Sequence, residues 1–409
     1  MKEFFKVKEL SHVLGYSSEF PLAGTEEIPL VESLGRILST DIVSDMDIPD
    51  FSRSTMDGYA VCASSTFGAT EGNPAYFNLK GTVAMGEIPA FSIGAGVAAK
   101  ISTGGMLPDG ADAVVMVEHT EALDDTTIEV YRSVAPGQHM VEIGEDIKKG
   151  DSILSCGQKI RPQESGLLAA MGKQTVTVYK KPVIGIISTG DEIVPTQEIP
   201  GPGQIRDINS YTLSGLVQQA GGVPLTYGIV RDNLNILTRK CALALSQSDM
   251  VMISGGSSVG TRDFTISVLS SLPDSSILVH GISISPGKPT ILAKVGNRAF
   301  WGLPGHVVSA MVIFNVVVRP FIDHISGISR KQTRVWKLPA ILSRNISSAQ
   351  GRTDYIRVRL VQRDNQLTAE PILGKSGLIR TMVKADGLIE VGMNIEGLDK
   401  DTPVEVILL

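Results

Sequence analysis

The chain has 409 residues, 43% of them hydrophobic, with a mean hydropathy of +0.14. That length exceeds one ordinary core and predicts two to four domains, and the apolar content excludes a disordered chain. A balance of 37 Lys and Arg against 43 Asp and Glu gives a net charge of −6, which argues against a nucleic-acid partner but leaves room for a local basic pocket.

Cys62, Cys156 and Cys241 are few and widely separated, which predicts buried thiols in a reducing cytoplasm and no metal cluster. The six histidines have no ligand-like spacing, so a zinc site is not expected. Met1-Lys2-Glu3-Phe4-Phe5 lacks the apolar core of a signal peptide, and apolar stretches such as Met311 to Val318 fall short of a membrane span. The expected setting is cytoplasmic, with no membrane.

Apolar spacing predicts helices over Glu3 to Leu14 and Val31 to Leu38. Pro49 then breaks the chain before Ser54-Thr55-Met56-Asp57-Gly58-Tyr59-Ala60, where Asp57-Gly58 signals a turn. Alone, Asp57 reads first as turn chemistry. Residues 73 to 147 are β-rich, with short strands near Tyr76 to Val83, Val97 to Ser102, Ala113 to Glu118 and Thr127 to Val134. Ser102-Thr103-Gly104-Gly105 is a hydroxyl and glycine corner, where Thr103 can donate to an oxyanion or close a turn. Gly144-Glu145-Asp146-Ile147 is a charged turn, and Asp146 alone says little.

Pro162 opens a helix that Gly172 ends. Strands and helices then alternate from about 180 to 325, which predicts a parallel α/β sheet with helices on both faces. Asn209 reads as the N-cap of one helix, and Asp232 as the N-cap of the next. Met250-Val251-Met252-Ile253 reads as a buried strand running into Ser254-Gly255-Gly256-Ser257-Ser258-Val259-Gly260-Thr261-Arg262-Asp263, with helical character from Phe264. Free N–H groups at such a turn attract anions, and Asp263 adds a carboxylate that opposes a bare phosphate unless a cation lies between. Read alone, this loop is first a glycine-rich turn capped by Asp263.

Glu192, Asp232 and Asp263 each follow a strand. Strand C-termini in an open parallel sheet share one edge, where the ligand crevice forms, so the three acids together predict a polar pocket. Gly287-Lys288-Pro289-Thr290 resembles the tail of a P-loop but fails, because Gly281 is one residue too far upstream and Pro289 removes an N–H. Lys288 in its Pro- and Gly-fixed loop is instead a candidate oxyanion ligand. From about 332 onward the alternation stops. Tyr355 to Leu360 has period two and Pro403 to Leu409 reads as a strand, predicting a separate small β domain.

These motifs, with Ser188-Thr189-Gly190-Asp191-Glu192, Arg231-Asp232, Pro286-Gly287-Lys288-Pro289, Gly302-Leu303-Pro304-Gly305, Ser376-Gly377-Leu378 and Ala385-Asp386-Gly387, occur in an order that resembles the molybdopterin molybdenumtransferase family (MoeA, or the gephyrin E domain). The resemblance runs through nearly the whole chain. It implies a multidomain α/β plus β protein: a helical and extended linking domain (residues 1–46 and 144–178), a small β-rich domain (47–143), a MogA-like three-layer α/β domain (179–328) and a C-terminal β-barrel (329–409). It implies that adenylyl-molybdopterin and molybdate become molybdenum cofactor and AMP with Mg2+, and that an upstream molybdopterin adenylyltransferase supplies the substrate.

The resemblance also implies a homodimer with a shared inter-subunit site. Asp57, Thr103 and Asp146 would come from one subunit and Glu192, Asp232 and Asp263 from the other, with Asp232 and Asp263 as the magnesium ligands. Gly255, Gly256 and Ser257 would hold phosphates. Lys288, Ser309 and Arg380 match positions of the molybdate pocket, and the Ser285 and Pro304 turns belong to it. Such chemistry needs charge neutralisation and positioning more than a covalent nucleophile, and hard oxygen ligands suit magnesium.

The sequence departs from the family at three places. Ser285 stands where the family commonly has a second lysine, which in a partly buried setting weakens dianion binding by roughly 1–3 kcal/mol. The turn Leu303-Pro304-Gly305-His306-Val307 replaces the common Leu-Pro-Gly-Asn-Pro, and Gly255-Gly256-Ser257-Ser258 replaces Gly-Gly-Val-Ser. His306 reads first as a helix-start histidine bonded to backbone, or else as a replacement positive charge. Two alternatives stay open: a tungstate-selective paralogue of the same reaction, and a non-catalytic dimeric paralogue that binds the pterin or a partner.

Overall fold

The computed structural model describes residues 7–255, 259–329, 336–363 and 365–409, with the side chains of residues 259–263 outside that description. The chain divides into two compact units, one made of Met1–Thr40, Cys156–Ser165 and Gln174–Leu409, the other of Asp41–Ser155 and Gly166–Lys173.

The larger unit is built on a six-stranded sheet. Its order is Val223–Val230, Val183–Thr189, Met250–Gly255, Arg298–Pro304, Ile291–Val295 and Ser275–His280. The first three junctions are parallel and the last two antiparallel. The all-parallel expectation therefore fails at one end. Ile291–Val295 and Arg298–Pro304 are joined by Gly296-Asn297 alone, with Gly296 at φ +56°, and a two-residue connection can only make a hairpin.

Side-chain alternation sorts the central strand. Met250 and Met252 pack on one face with Leu213, Val217, Trp301 and Phe314, while Val251 and Ile253 pack on the other with Leu237, Cys241, Leu269 and Phe300. Trp301 meets Phe321 edge-on, with centroids 4.9 Å apart. Helix Val307–Ile325, with a π-helical turn at Phe314–Val318, is long and apolar enough to cross a membrane. Val308, Val312, Ile313, Val317, Val318, Phe321 and Ile322 are instead buried in the protein's own core.

A closed barrel follows in the same unit. Thr353–Arg363 pairs with Gln366–Pro371, then Lys337–Leu342, Pro403–Leu408 and Gly387–Val391, which pairs back to Thr353–Arg363. Val358, Ala369, Ile389, Val404 and Val406 fill it. The short strand Ile284–Ser285 lies between sheet and hairpin in sequence, yet it pairs in parallel with Thr353–Asp354 of the barrel.

The N-terminal helices fall short of expectation. Residues 1–6 lie outside the described residues, and helix is confined to Leu10–Gly15. Thr25–Pro29 pairs with Thr175–Tyr179 as a strand, and Val31 to Leu38 holds only a 3-10 turn at Leu30–Glu32. Val31 and Leu34 are 88% and 63% exposed, so their helical spacing marks no buried face. Only Cys241 is a buried thiol, its ionisation pushed up to about 12 by burial; Cys62 is half-buried and Cys156 exposed.

The smaller unit holds its own six-stranded sheet, ordered Ala113–Met116, Gly58–Val61, Val97–Ile101, Ala75–Val83, Thr127–Val130 and Thr120–Ala122, which agrees with the β-rich reading. Phe77, Val115 and Ile128 belong to one of its apolar clusters, and Ile101, Val114 and Ala99 to another. Gly58 is a strand residue: a Cβ there would lie 1.9 Å from the Val115 carbonyl oxygen.

Candidate functional site

In the larger unit, register places Thr189 opposite both Val230 and Gly255, and Gly255 opposite Pro304. Four parallel strands therefore end on one edge. Asp232 emerges there beside Thr189, whose Oγ1 donates to its Oδ1 at 3.0 Å, while the Asp232 N–H donates to Asp191 Oδ1 at 3.2 Å. The expected capping role is not what Asp232 does. Asn233 caps the helix Leu234–Gln247 by accepting from the Ile236 N–H, so the Asp232 carboxylate is left for other work. Burial raises its ionisation above the ordinary carboxylate range; the Thr189 hydroxyl opposes this, and the charges of Asp191 and Glu192 add to it. Glu192 folds over Gly190, where a Cβ would come within 2.7 Å of its carboxylate.

A divalent cation suits this crowd of carboxylates, since two Asp ligands and waters are a donor set that magnesium accepts. Among the described residues no three His, Cys, Asp or Glu side chains converge as a metal site. Asp263, the second expected ligand, lies in helix Val259–Ser271 with its side chain outside the described residues. Gly256 and Ser257, expected to hold phosphates, also fall outside them.

Asn209 is likewise displaced from its expected capping role. It sits inside the first turn of its helix and donates from Nδ2 to the Gly305 carbonyl at 2.9 Å, tying the helix to the Leu303-Pro304-Gly305 turn. Asp207 takes the capping role: its Oδ1 accepts from the Ser210 N–H and from Ser188 Oγ.

Beside the acidic strand ends lies a cavity of about 480 Å³. Gly255, Ser285, Lys288, Pro304 and Ser309 line it, which brings together five of the residues expected to bind substrate or oxyanion. The loop that carries Lys288 is held closely. A Cβ on Gly287, at φ +118°, would lie 2.5 Å from Ile313 Cγ1, and the Thr290 hydroxyl donates to the Gly287 carbonyl at 2.7 Å. Thr290 is buried, with its hydroxyl engaged in that bond. Lys288 is exposed at the mouth.

Two further lining residues, Arg352 and Thr265, carry no signal in the sequence, and a third, Ser376, belongs to the Ser376-Gly377-Leu378 motif. Arg352 reaches the cavity from the turn before the barrel strand Thr353–Arg363, and Ser376 comes from a later barrel loop. Thr265 enters from helix Val259–Ser271. The pairing of Ile284–Ser285 with Thr353–Asp354 delivers Arg352 to the Lys288 loop, and no local pattern signals that pairing. His306 is bonded through Nδ1 to Ser376 Oγ at 2.9 Å and so does not take the expected backbone partner; Val308 N–H donates to the Ser376 carbonyl at 3.0 Å. Arg380 is exposed at the start of Arg380–Val383 and is not among the lining residues.

In the smaller unit Asp57 and Thr103 meet. Asp57 Oδ1 accepts from the Thr103 N–H at 2.7 Å and from its hydroxyl at 3.0 Å, and these bonds, the backbone one foremost, hold the exposed carboxyl below its ordinary range. Asp146 is exposed on its turn, with its N–H donating to the Ile48 carbonyl.

An open α/β sheet whose strand ends carry carboxylates, next to a cavity with an exposed lysine and an arginine, defines a protein that handles anionic ligands. The comparisons give the family. Residues 6–172 match the MoeA N-terminal region (domain I and II), 185–324 a probable molybdopterin-binding domain, and 339–409 the MoeA C-terminal region (domain IV). The molybdopterin molybdenumtransferase of Haemophilus influenzae is 37% identical, over 81% of this chain and 80% of that protein. That of Bacillus subtilis is 30% identical, over 94% and 90%. A crystal structure of the molybdopterin biosynthesis MoeA protein of Pyrococcus horikoshii superimposes with a TM-score of 0.83 at 38% identity, covering 98% of this chain and 99% of that one. The chain belongs to the MoeA family of molybdopterin molybdenumtransferases, which act in molybdenum cofactor biosynthesis.

Proposed function

We propose that this protein is a molybdenum insertase: it takes adenylyl-molybdopterin and molybdate and releases molybdenum cofactor and AMP. The observation that carries the reading is the cavity holding Lys288, Arg352 and Ser309 at the strand edge where Asp232 and Glu192 emerge. Molybdate is a tetrahedral dianion, and a lysine, a guanidinium and a buried hydroxyl are suitable hosts. Phosphoanhydride cleavage adds water to phosphorus and breaks the bond to AMP, so the protein's part is to position the groups and balance their charge.

Asp232 and Asp263 are the proposed magnesium ligands, and bound magnesium would offset the charge of the pyrophosphate. Gly255, Gly256 and Ser257 are the proposed phosphate loop. Ser285, Pro304 and Arg380 are assigned to oxyanion handling. The working form is a homodimer in which Asp57, Thr103 and Asp146 of one copy complete the site of the other. The four domain boundaries, a cytoplasmic setting and supply by a molybdopterin adenylyltransferase belong to the same reading.

The test is AMP release from adenylyl-molybdopterin by the purified protein, with molybdate and tungstate titrated in parallel and magnesium withheld in one arm. Release that needs both magnesium and oxyanion is the expected result. A preference for tungstate would transfer the assignment to a tungsten insertase. Nucleotide binding with no release under any condition would leave only a binding paralogue.

A further inference from the structure

Arg352 is the cavity's cation from the barrel side, and a carboxylate outside the cavity lining engages it. Asp354 lies two residues further on, its side chain 9% exposed against 43% for Arg352. Arg352 Nε is 2.9 Å from Asp354 Oδ1, an ion pair off the line of a hydrogen bond, and Arg352 Nη2 donates to Oδ2 at 3.5 Å. The carboxylate thus meets the guanidinium along its Nε–Nη2 edge. Among the described residues Nη1 has no protein partner. Ser348 Oγ donates to Asp354 Oδ2 at 2.7 Å, which fixes the carboxylate in turn. The Asp354 backbone is the register partner of Ser285, and the adjacent Thr353 N–H donates to the Ser283 carbonyl at 2.9 Å. One residue is therefore tied to the oxyanion loop through its main chain and to the arginine through its side chain.

We propose that Asp354 is a positioning residue for oxyanion binding: it holds Arg352 by one edge so that the remaining guanidinium donors are presented to the cavity before the dianion arrives. The proposal rests on the oxyanion reading of the cavity. An arginine side chain has many rotamers, and freedom removed in the free protein is not lost again on binding. Asp354 acts through Arg352 and does not itself touch the anion, which separates its role from that of a ligand.

The experiment measures molybdate binding to the full-length protein by calorimetry, alongside half-saturating molybdate in AMP release. The variants are Lys288→Ala, Arg352→Ala, Asp354→Asn, Ser348→Ala and the double variant Arg352→Ala with Asp354→Asn. Asp354→Asn is expected to weaken molybdate binding and raise half-saturation about tenfold with the plateau rate unchanged, and Ser348→Ala about two- to threefold. The double variant is expected to bind no worse than Arg352→Ala alone. Wild-type molybdate dependence in Asp354→Asn, or losses that multiply in the double variant, overturns the positioning role. If Asp354→Asn does not fold, Ser348→Ala decides in its place: an unchanged molybdate constant overturns the role. Loss of binding in Lys288→Ala with none in Asp354→Asn removes this inference alone, whereas no molybdate binding by the wild type removes the oxyanion reading with it.

Discussion

The two halves of the strand edge are built by different means. The acidic half comes from turns that directly follow their strands, with Thr189, Glu192 and Asp232 all within a few residues of a strand end. The basic half is assembled across the chain: Lys288 from a loop, Ser309 from helix Val307–Ile325, Arg352 and Ser376 from the barrel. In the acidic half, burial, with the neighbouring charges of Asp191 and Glu192 adding to it, raises the ionisation of Asp232, and a cation there would offset that cost. The basic half gathers donors around open space and favours an anion. Proximity of the two is what the proposed reaction, cleavage of a phosphoanhydride together with insertion of an oxyanion, would require.

Substitutions in each half are expected to fail in different ways. Asp232→Asn should have the largest effect, lowering AMP release by about a hundredfold or more at every oxyanion concentration, with the far-ultraviolet circular dichroism unchanged. Full activity in that variant would remove Asp232 from the acidic half. Lys288→Ala should raise half-saturating molybdate roughly ten- to a hundredfold and leave the plateau in place. A lowered plateau with unchanged half-saturation would mean that the two halves are not separate.

Asp323 provides a contrast with Asp232, because burial raises its carboxyl to about 6, with Arg319 and Lys159 pulling the other way. Its folded ionisation lies above the unfolded one, near 3.9, so its favourable contribution is complete below about pH 4 and is lost as pH rises through about 6. Asp323→Asn should therefore be more stable than wild type by roughly 1–3 kcal/mol at pH 7.5 and similar to it at pH 4, with molybdate dependence untouched. Denaturant melts at the two pH values check this; a variant less stable at pH 7.5 would contradict it. The smallest effect is expected from Ser285→Lys, which adds a second lysine beside Lys288 at the cavity wall and should lower half-saturating molybdate about three- to tenfold. No change would show that Arg352 already supplies that charge.

The same contrast explains what the sequence revealed. Acids after apolar strands are local, so the places of Glu192 and Asp232 at a strand end are legible from their neighbours, as is Lys288 between two prolines, while the Asp263 side chain lies outside the described residues. Asp232 and Asn209 both read as helix caps in the sequence, because an Asp or Asn before a helix looks alike whether or not its side chain bonds the backbone. Asn233 and Asp207, one and two residues away, took those bonds. Arg352 was invisible because a parallel pairing between residues about seventy apart puts it in the cavity. The hairpin through Gly296 turned an expected parallel strand round, and the helical spacing of Val31 and Leu34 had no core to face.

The most direct test of the divided edge is AMP release from adenylyl-molybdopterin, titrated with molybdate at saturating magnesium and then with magnesium at saturating molybdate, for wild type, Asp232→Asn and Lys288→Ala in one assay. The account predicts that Asp232→Asn disturbs only the magnesium titration and the plateau, and Lys288→Ala only the molybdate titration. Each variant shifting both curves equally, or AMP release from the wild type that ignores molybdate, would contradict it.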